Sequence, residues 1–337
     1  MTNNFDKVLM AVQGEIPIIK RPFWEIGQAL DLEEDEVLEA VKVLKENKII
    51  RQISPIYDTR MLGYDSALVA FRVKPERVEE VSSFVNTYPG VSHNYERTHE
   101  FNLWFTIAVP LDVGVNLEGI VKFMAECTDV YQYIILRALR VFKIGVKLDY
   151  ESAREREEVS LKGLVYKPLT HEEKNIVKVT QEDMPLVKRP FFEYAKSLGM
   201  EEEELIQKLV NLKQKGVLRR ISAIVYHTKV GFLSNAMSVW KVNSESVERV
   251  GNHLASFKGV SHCYERTTSN GWNYNLFAMI HGRTKEEIWD LVKVVSEETG
   301  VYDYKLLFSV REFKKRRVRY FSEEFYRWLE EVYKPLS

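Results

Sequence analysis

The segment IPIIKRPFWEIGQALDLEEDEVLEAVKVLKENKIIRQIS (Ile16 to Ser54) aligns without a gap on MPLVKRPFFEYAKSLGMEEEELIQKLVNLKQKGVLRRIS (Met184 to Ser222). The similarity continues through Gly63 and Tyr64 against Gly231 and Phe232, then through GVSHNYERT (Gly90 to Thr98) against GVSHCYERT (Gly259 to Thr267). It ends at VYQYIILRALRVFK against VYDYKLLFSVREFK. A repeat this long is a fused pair of like domains, not a solenoid built from short units. Whatever one half folds into, the other must fold into as well.

Within each half the hydrophobic period changes. Val37, Leu38, Val41 and Leu44 recur at helical spacing, as do Leu205, Ile206, Leu209 and Leu212. Thr170 with Glu173 forms a capping-box pattern, and Pro22 and Pro190 suit the first turn of the next helix. These signals give three short helices per half, the last ending at Asn47 or Gly216. RQISPIYD and RRISAIVY then read as strands, making a three-helix winged unit. SALVAFRV is a strand, ERVEEVSSFVNTY an amphipathic helix and FNLWFTIAV a strand. Leu117 to Glu126 is a helix, and YQYIILRALRVFK a final strand. This is a β-α-β-β-α-β unit of ferredoxin-like type. The expected layout is a winged helix-turn-helix at 1–60, a ferredoxin-like domain at 61–148 and a charged linker at 149–169. The second copies follow at 170–228 and 229–319, and an amphipathic C-terminal helix fills 320–337.

Composition narrows the function. Lys plus Arg (48) nearly cancels Asp plus Glu (49), so no net field draws the chain to nucleic acid. Four consecutive acids stand near the start of each third helix, in LEEDEVLEA and MEEEELIQK, where a recognition helix would meet phosphates. DNA binding is therefore not expected, although acids at that end also favour the helix dipole. No apolar run is long enough to span a bilayer, and the N-terminus lacks a secretion-signal layout. Cys127 and Cys263, the two cysteines, cannot supply a zinc knuckle or a cysteine-ligated cluster and suit a reducing cytoplasm.

The winged-helix and α/β order resembles the AsnC/Lrp family over nearly the whole chain, twice. The fold class this implies is α+β, a duplicated winged helix-turn-helix plus AsnC/Lrp effector-type domain. The two copies would pair as an intramolecular pseudo-dimer, open to further homo-oligomerisation. The family's effector loop carries a Gly-x-x-Asp-type turn, whereas this chain has THEFN and TTSNGWNYN there. RRIS-AIVYH together with GVSHCYERT and YNLF instead resembles the sirohaem (siroheme) decarboxylases, AsnC/Lrp-type enzymes built from two related subunits, here fused. The resemblance implies loss of carbon dioxide from the C12 and C18 acetates of siroheme, giving didecarboxysiroheme on the way to haem d1 or haem b. It implies no cofactor beyond the iron tetrapyrrole substrate. A ligand-sensing transcriptional regulator is the alternative that the fold alone would allow.

A siroheme site needs cationic forks for eight carboxylates and apolar walls for the macrocycle, and Arg suits a carboxylate better than Lys. The candidates are Arg219, Arg220, Arg266 and Arg311, with Arg51, Arg97, Arg137 and Arg140 from the other half. Tyr226, Tyr264, Trp272 and Tyr274 are candidate walls, and Asn275 and His99 further contacts. Decarboxylation leaves electron density that must be protonated, a task for His near neutral pH. His227 and His262 are the expected acids or iron-proximal groups, and His93 matches His262 in the first copy. The copies differ: Gln52 stands against Arg220, Asp58 against Tyr226 and Thr59 against His227. One competent site, assembled mainly on the second half, is the simplest inference. His171, His253 and His281 read as structural or surface histidines. Glu96 and Glu265 read as partners of neighbouring cations, and Asn102 and Asn275 equally as clamps on the backbone.

Overall fold

The computed structural model describes residues 4–144, 167–226, 234–269 and 271–336. His227 and most of the charged joining segment lie outside the described residues. The first half runs α1 (Asn4–Gln13), α2 (Pro22–Leu30), α3 (Glu34–Glu46), β1 (Ile50–Tyr57), β2 (Tyr64–Phe71), α4 (Val78–Thr87), β3 (Val91–Arg97), β4 (Leu103–Pro110), α5 (Leu117–Cys127) and β5 (Tyr133–Ile144). The second repeats it as α6 (His171–Thr180), α7 (Pro190–Leu198), α8 (Glu202–Gln214), β6 (Leu218–Val225), β7 (Ser234–Trp240), α9 (Val247–Ser256), β8 (Val260–Arg266), β9 (Leu276–Gly282), α10 (Lys285–Thr299) and β10 (Tyr304–Lys315). It then adds α11 (Glu324–Trp328), which continues through a π turn to Leu336.

The compact units do not follow the repeat. One joins residues 1–63 to 164–231, the other 64–163 to 232–337. Like pairs with like: the helical segments of the two copies form one unit and the α/β segments form the other.

In the helical unit, Pro22 and Pro190 open α2 and α7, and Thr170 and Glu173 form a reciprocal capping box on α6. The acids of α3 and α8 do structural work. Glu34 and Glu202 are buried and ion-paired to Arg21 and Arg189. Lys20 reaches Glu203 at 2.7 Å, and Lys188 reaches Asp35 at 2.8 Å, a reciprocal pair of bridges between the copies. The two wings are one sheet: β1 and β6 run antiparallel, with Ser54 opposite Ser222. Ile16 N–H donates to Ile221 O at 2.8 Å and Met184 N–H to Ile53 O at 2.7 Å, so each copy's entry segment edges the other copy's wing.

In the other unit eight strands close into a barrel, β10-β3-β4-β2-β5-β8-β9-β7. Closure rests on two long strands that serve both copies. β5 pairs with β2 from Tyr133 to Arg137, then with β8 from Ala138 onward; β10 pairs with β7 up to Phe308, then with β3 from Ser309. A closed barrel leaves no edge strand exposed. Its interior holds Leu68, Trp104, Leu136, Met237, Trp272, Phe277 and Leu307. A second core lies under α9 and α10, where Phe142 of the first copy packs among second-copy residues. There Gly251 is needed, since a Cβ would come within 2.4 Å of the Phe142 ring. Gly90, which opens the first GVSH, is constrained by backbone: a Cβ would lie 2.0 Å from Ala108 O. The C-terminal helix packs on the first copy, with Trp328 against Tyr88 (4.8 Å between rings) and Phe325 against Tyr64 (5.7 Å).

Candidate active site

The repeated motif explains itself on β3 and β8. Strand alternation sends successive side chains to opposite faces. Asn94 and Cys263 point to the helices, where Asn94 bonds Asn86 and the Cys263 thiol donates to Gly251 O. Glu96 and Glu265 hold Arg311 (2.6 Å) and Arg140 (3.5 Å). The other residues form two ladders of the same geometry. His93 stacks on Tyr95 with ring centres 6.4 Å apart, and Arg97 lies 5.2 Å over the same tyrosine. His262 stacks on Tyr264 at 6.2 Å, and Arg266 lies over it at 4.7 Å.

The two arginines cross between copies. Arg97 donates to Leu307 O and Ser309 Oγ of β10 and lies 3.8 Å from Met279 Sδ; Arg266 donates to Leu136 O of β5. Burial pushes both guanidinium groups down to about 10, so both remain cationic at neutral pH. Among the described residues neither pairs with a carboxylate, and the Nε of each has no hydrogen-bond partner. A buried cation without a counter-ion is costly, and an anionic ligand relieves that cost.

Behind the ladders the copies diverge. A bulge at Ser92–His93 and at Ser261–His262 turns each serine inward. Ser92 Oγ lies 3.0 Å from His93 Nδ1 and 2.7 Å from Thr106 Oγ1. Ser261 Oγ lies 2.9 Å from His262 Nδ1 and 2.8 Å from Nε2 of the buried His281. In the matching place on β4 stands Ala108.

Comparison with known proteins agrees with this architecture. A family model described as an AsnC-like ligand binding domain matches residues 61–143 and 229–314, and one described as a siroheme decarboxylase NirDL-like HTH domain matches 6–51 and 173–219. A siroheme decarboxylase of Hydrogenobacter thermophilus is 56% identical over 98% of this chain and 99% of its own. The chain belongs to the siroheme decarboxylase family. A siroheme decarboxylase beta subunit of Methanosarcina barkeri is 44% identical over 43% of this chain and 95% of its own length, as expected where one polypeptide carries two subunits. A crystal structure of the siroheme decarboxylase NirDL in co-complex with an iron-uroporphyrin III analogue is 51% identical, covers 99% of this chain and 100% of its own, and superposes with a TM-score of 0.80.

The remaining site residues expected of a siroheme decarboxylase divide between the two compact units. In the helical unit, Arg51 and Arg220 are half-buried on β1 and β6, and Tyr226 is exposed. Arg219 is committed to an ion pair with the buried Asp58, whose Oδ1 also accepts from Arg60 and Met61 N–H. In the barrel unit Arg311 stands on the α4 side, held by Glu96 and Glu79, and does not join the His93 ladder. Arg140 and Arg137 are likewise engaged, with Glu248 and with Asp65 and Glu118.

Two of these residues take structural places, one of them the backbone clamp that the sequence equally allowed. Asn275 is a backbone clamp: its amide accepts from Val242 N–H and donates to Val242 O, both at 2.9 Å, as Asn102 does with Val73. Trp272 is not an open wall. It is 1% exposed, inserted from the longer second-copy loop against Trp104 (5.2 Å), His99 (5.4 Å) and Phe101 (6.2 Å). Tyr274 is half-buried beside it, with Lys305 Nζ 5.5 Å over its ring. His99 accepts from Phe101 N–H and lies 3.2 Å from Lys305 Nζ; burial, then Lys305, holds its pKa down. From sequence His281 reads as a structural histidine, since nothing local signals that a bulge on the neighbouring strand aims Ser261 at it.

Proposed function

We propose that this chain removes carbon dioxide from two acetate side chains of siroheme as a carboxy-lyase, without an oxidant. Each step balances as an acetate carboxylate plus one proton giving a methyl group and carbon dioxide, so the requirement is a proton donor and an anion-binding frame. The observation that carries this reading is the His262–Tyr264–Arg266 ladder, with a cation that has no carboxylate partner among the described residues, in a chain of this family. Its relative's complex with an iron-uroporphyrin III analogue supports a polycarboxylate macrocycle as the ligand.

In this reading Arg266 and Arg97 bind spectator carboxylates, the tyrosines meet the ring, and His262 protonates the carbon left by carbon dioxide. His93 is its weaker counterpart. The substrate brings its own iron and electron delocalisation, and no further cofactor enters the balance. The exposed acids Glu33, Glu36 and Glu201 at the starts of α3 and α8 argue against DNA as a partner, because they would repel phosphates. Among the described residues no helix is long and apolar enough to cross a membrane. Unpaired Cys127 and Cys263 suit the cytoplasm. The test is anaerobic incubation with siroheme, followed by mass analysis of the tetrapyrrole. Loss of two carbon dioxide units is expected; tight binding at unchanged mass would refute the enzyme.

A further inference from the structure

We infer that His281 is a positioning and proton-relay residue that recharges His262 through Ser261, and that this relay makes the second copy the competent one. The inference rests on His262 being the acid. Ser261 is buried, and its Oγ stands between Nε2 of His281 at 2.8 Å and Nδ1 of His262 at 2.9 Å. A hydroxyl has a single proton to donate; Met279 O also lies within reach of Ser261 Oγ, but at 3.4 Å it is a weaker acceptor than either ring nitrogen. When Ser261 donates to Nδ1 of His262, it accepts from Nε2–H of His281, and His262 carries its own proton on Nε2. The opposite polarity puts the His262 proton on Nδ1. The chain of two hydrogen bonds therefore sets the tautomer of His262 from behind.

The same chain moves a proton without leaving charge on His262. With His281 doubly protonated, His262 gives its Nε2 proton to the carbanion. Ser261 passes its hydroxyl proton to Nδ1 and takes the Nε2 proton of His281. His262 and His281 both end neutral, and one proton has been delivered. Solvent then reprotonates His281 and resets the tautomers for the second acetate. Two decarboxylations consume two protons, so a donor that can be refilled is required.

The first copy lacks the device. Ser92 faces Thr106 instead, and the position of His281 is taken by Ala108. The Thr106 hydroxyl can orient His93 through Ser92 but cannot supply a proton near neutral pH. The second copy also carries Asn235 opposite His281 on β7, with Ser309 Oγ donating to it at 2.7 Å, and Arg97 bonds the same serine. The anion-binding frame is thus continuous with the strand that carries the relay.

The test uses the full chain with siroheme under anaerobic conditions. His281→Ala places the residue that the first copy already tolerates. It is expected to lower kcat by about 10²-fold while KM and the folded circular-dichroism spectrum hold, and to shift the pH profile of kcat. His281→Gln keeps a hydrogen bond to Ser261 but moves no proton, so it is expected to restore the His262 tautomer seen by nitrogen NMR without restoring kcat. Wild-type kcat and pH profile in His281→Ala, alongside an inactive His262→Ala, would overturn the relay alone. An active His262→Ala would overturn the role of His262 itself.

Discussion

Trp272 offers a sharp test of how the longer loop of the second copy is used. Its side chain is 1% exposed and meets Trp104, Tyr274, Phe277, Phe101 and His99 with ring centres 5.2–6.2 Å away. Truncating a buried aromatic to Ala costs about 3–5 kcal/mol in lost transfer and cavity formation. One term opposes this. Among the described residues Nε1 has no hydrogen-bond partner, and removing an unpartnered buried donor returns about 1 kcal/mol. Trp272→Ala is therefore expected to destabilise the barrel by about 2–4 kcal/mol. Trp272→Phe keeps a ring in the interior and discards the orphan N–H, so it should stay within about 1 kcal/mol of the parent. Urea unfolding followed by far-ultraviolet circular dichroism measures both as midpoint shifts at constant slope. If Trp272→Phe proves as damaging as Trp272→Ala, Nε1 is contributing a bond and the packing argument fails.

Three further outcomes follow from named contacts. Arg266→Lys keeps the charge but loses the planar fork, so KM for siroheme should rise by about tenfold or more, the equivalent of 1.4 kcal/mol, measured by steady-state kinetics with kcat as control. Lys314 donates to Asn86 O and Tyr88 O, and burial pushes its pKa from 10.5 down to about 8. The folded protein then binds fewer protons than the unfolded chain between pH 8 and 10.5, so stability should climb with pH across that window. After solvent screening the gain is about 1–2 kcal/mol; denaturation at several pH values should show this slope, and Lys314→Met should flatten it. Gly90→Ala would drive a Cβ against Ala108 O, a backbone atom that cannot swing aside. It should cost about 1–3 kcal/mol or more, read as a fall in midpoint temperature.

Much of the fold is legible because its signals are local. Periodicity placed α3 and α8, Pro22 and Pro190 marked helix starts, and Thr170 with Glu173 formed the capping box the structure contains. The C-terminal amphipathic stretch was recognisable as helix, but not the Tyr64, Tyr88 and Phe123 surface that receives it. The site was legible in kind and less so in detail. His262, Tyr264 and Arg266 stand out because their motif occurs twice. Arg219, Arg311 and Asn275 looked the same on paper, and only their partners Asp58, Glu96 and Val242 show where their hydrogen bonds go.

By itself the sequence determined the duplication, the order of elements in each copy and the inequality of the copies at Gln52 and Arg220. These are properties of residue identity and short-range spacing. Tertiary structure alone decided that the wings pair with each other, that β5 and β10 each serve both copies, and that Ser261 links two histidines lying nineteen positions apart. Strand partners and registers are fixed by contacts between distant residues, and a one-residue bulge reverses which face a side chain meets. Spacing along the chain carries no record of either.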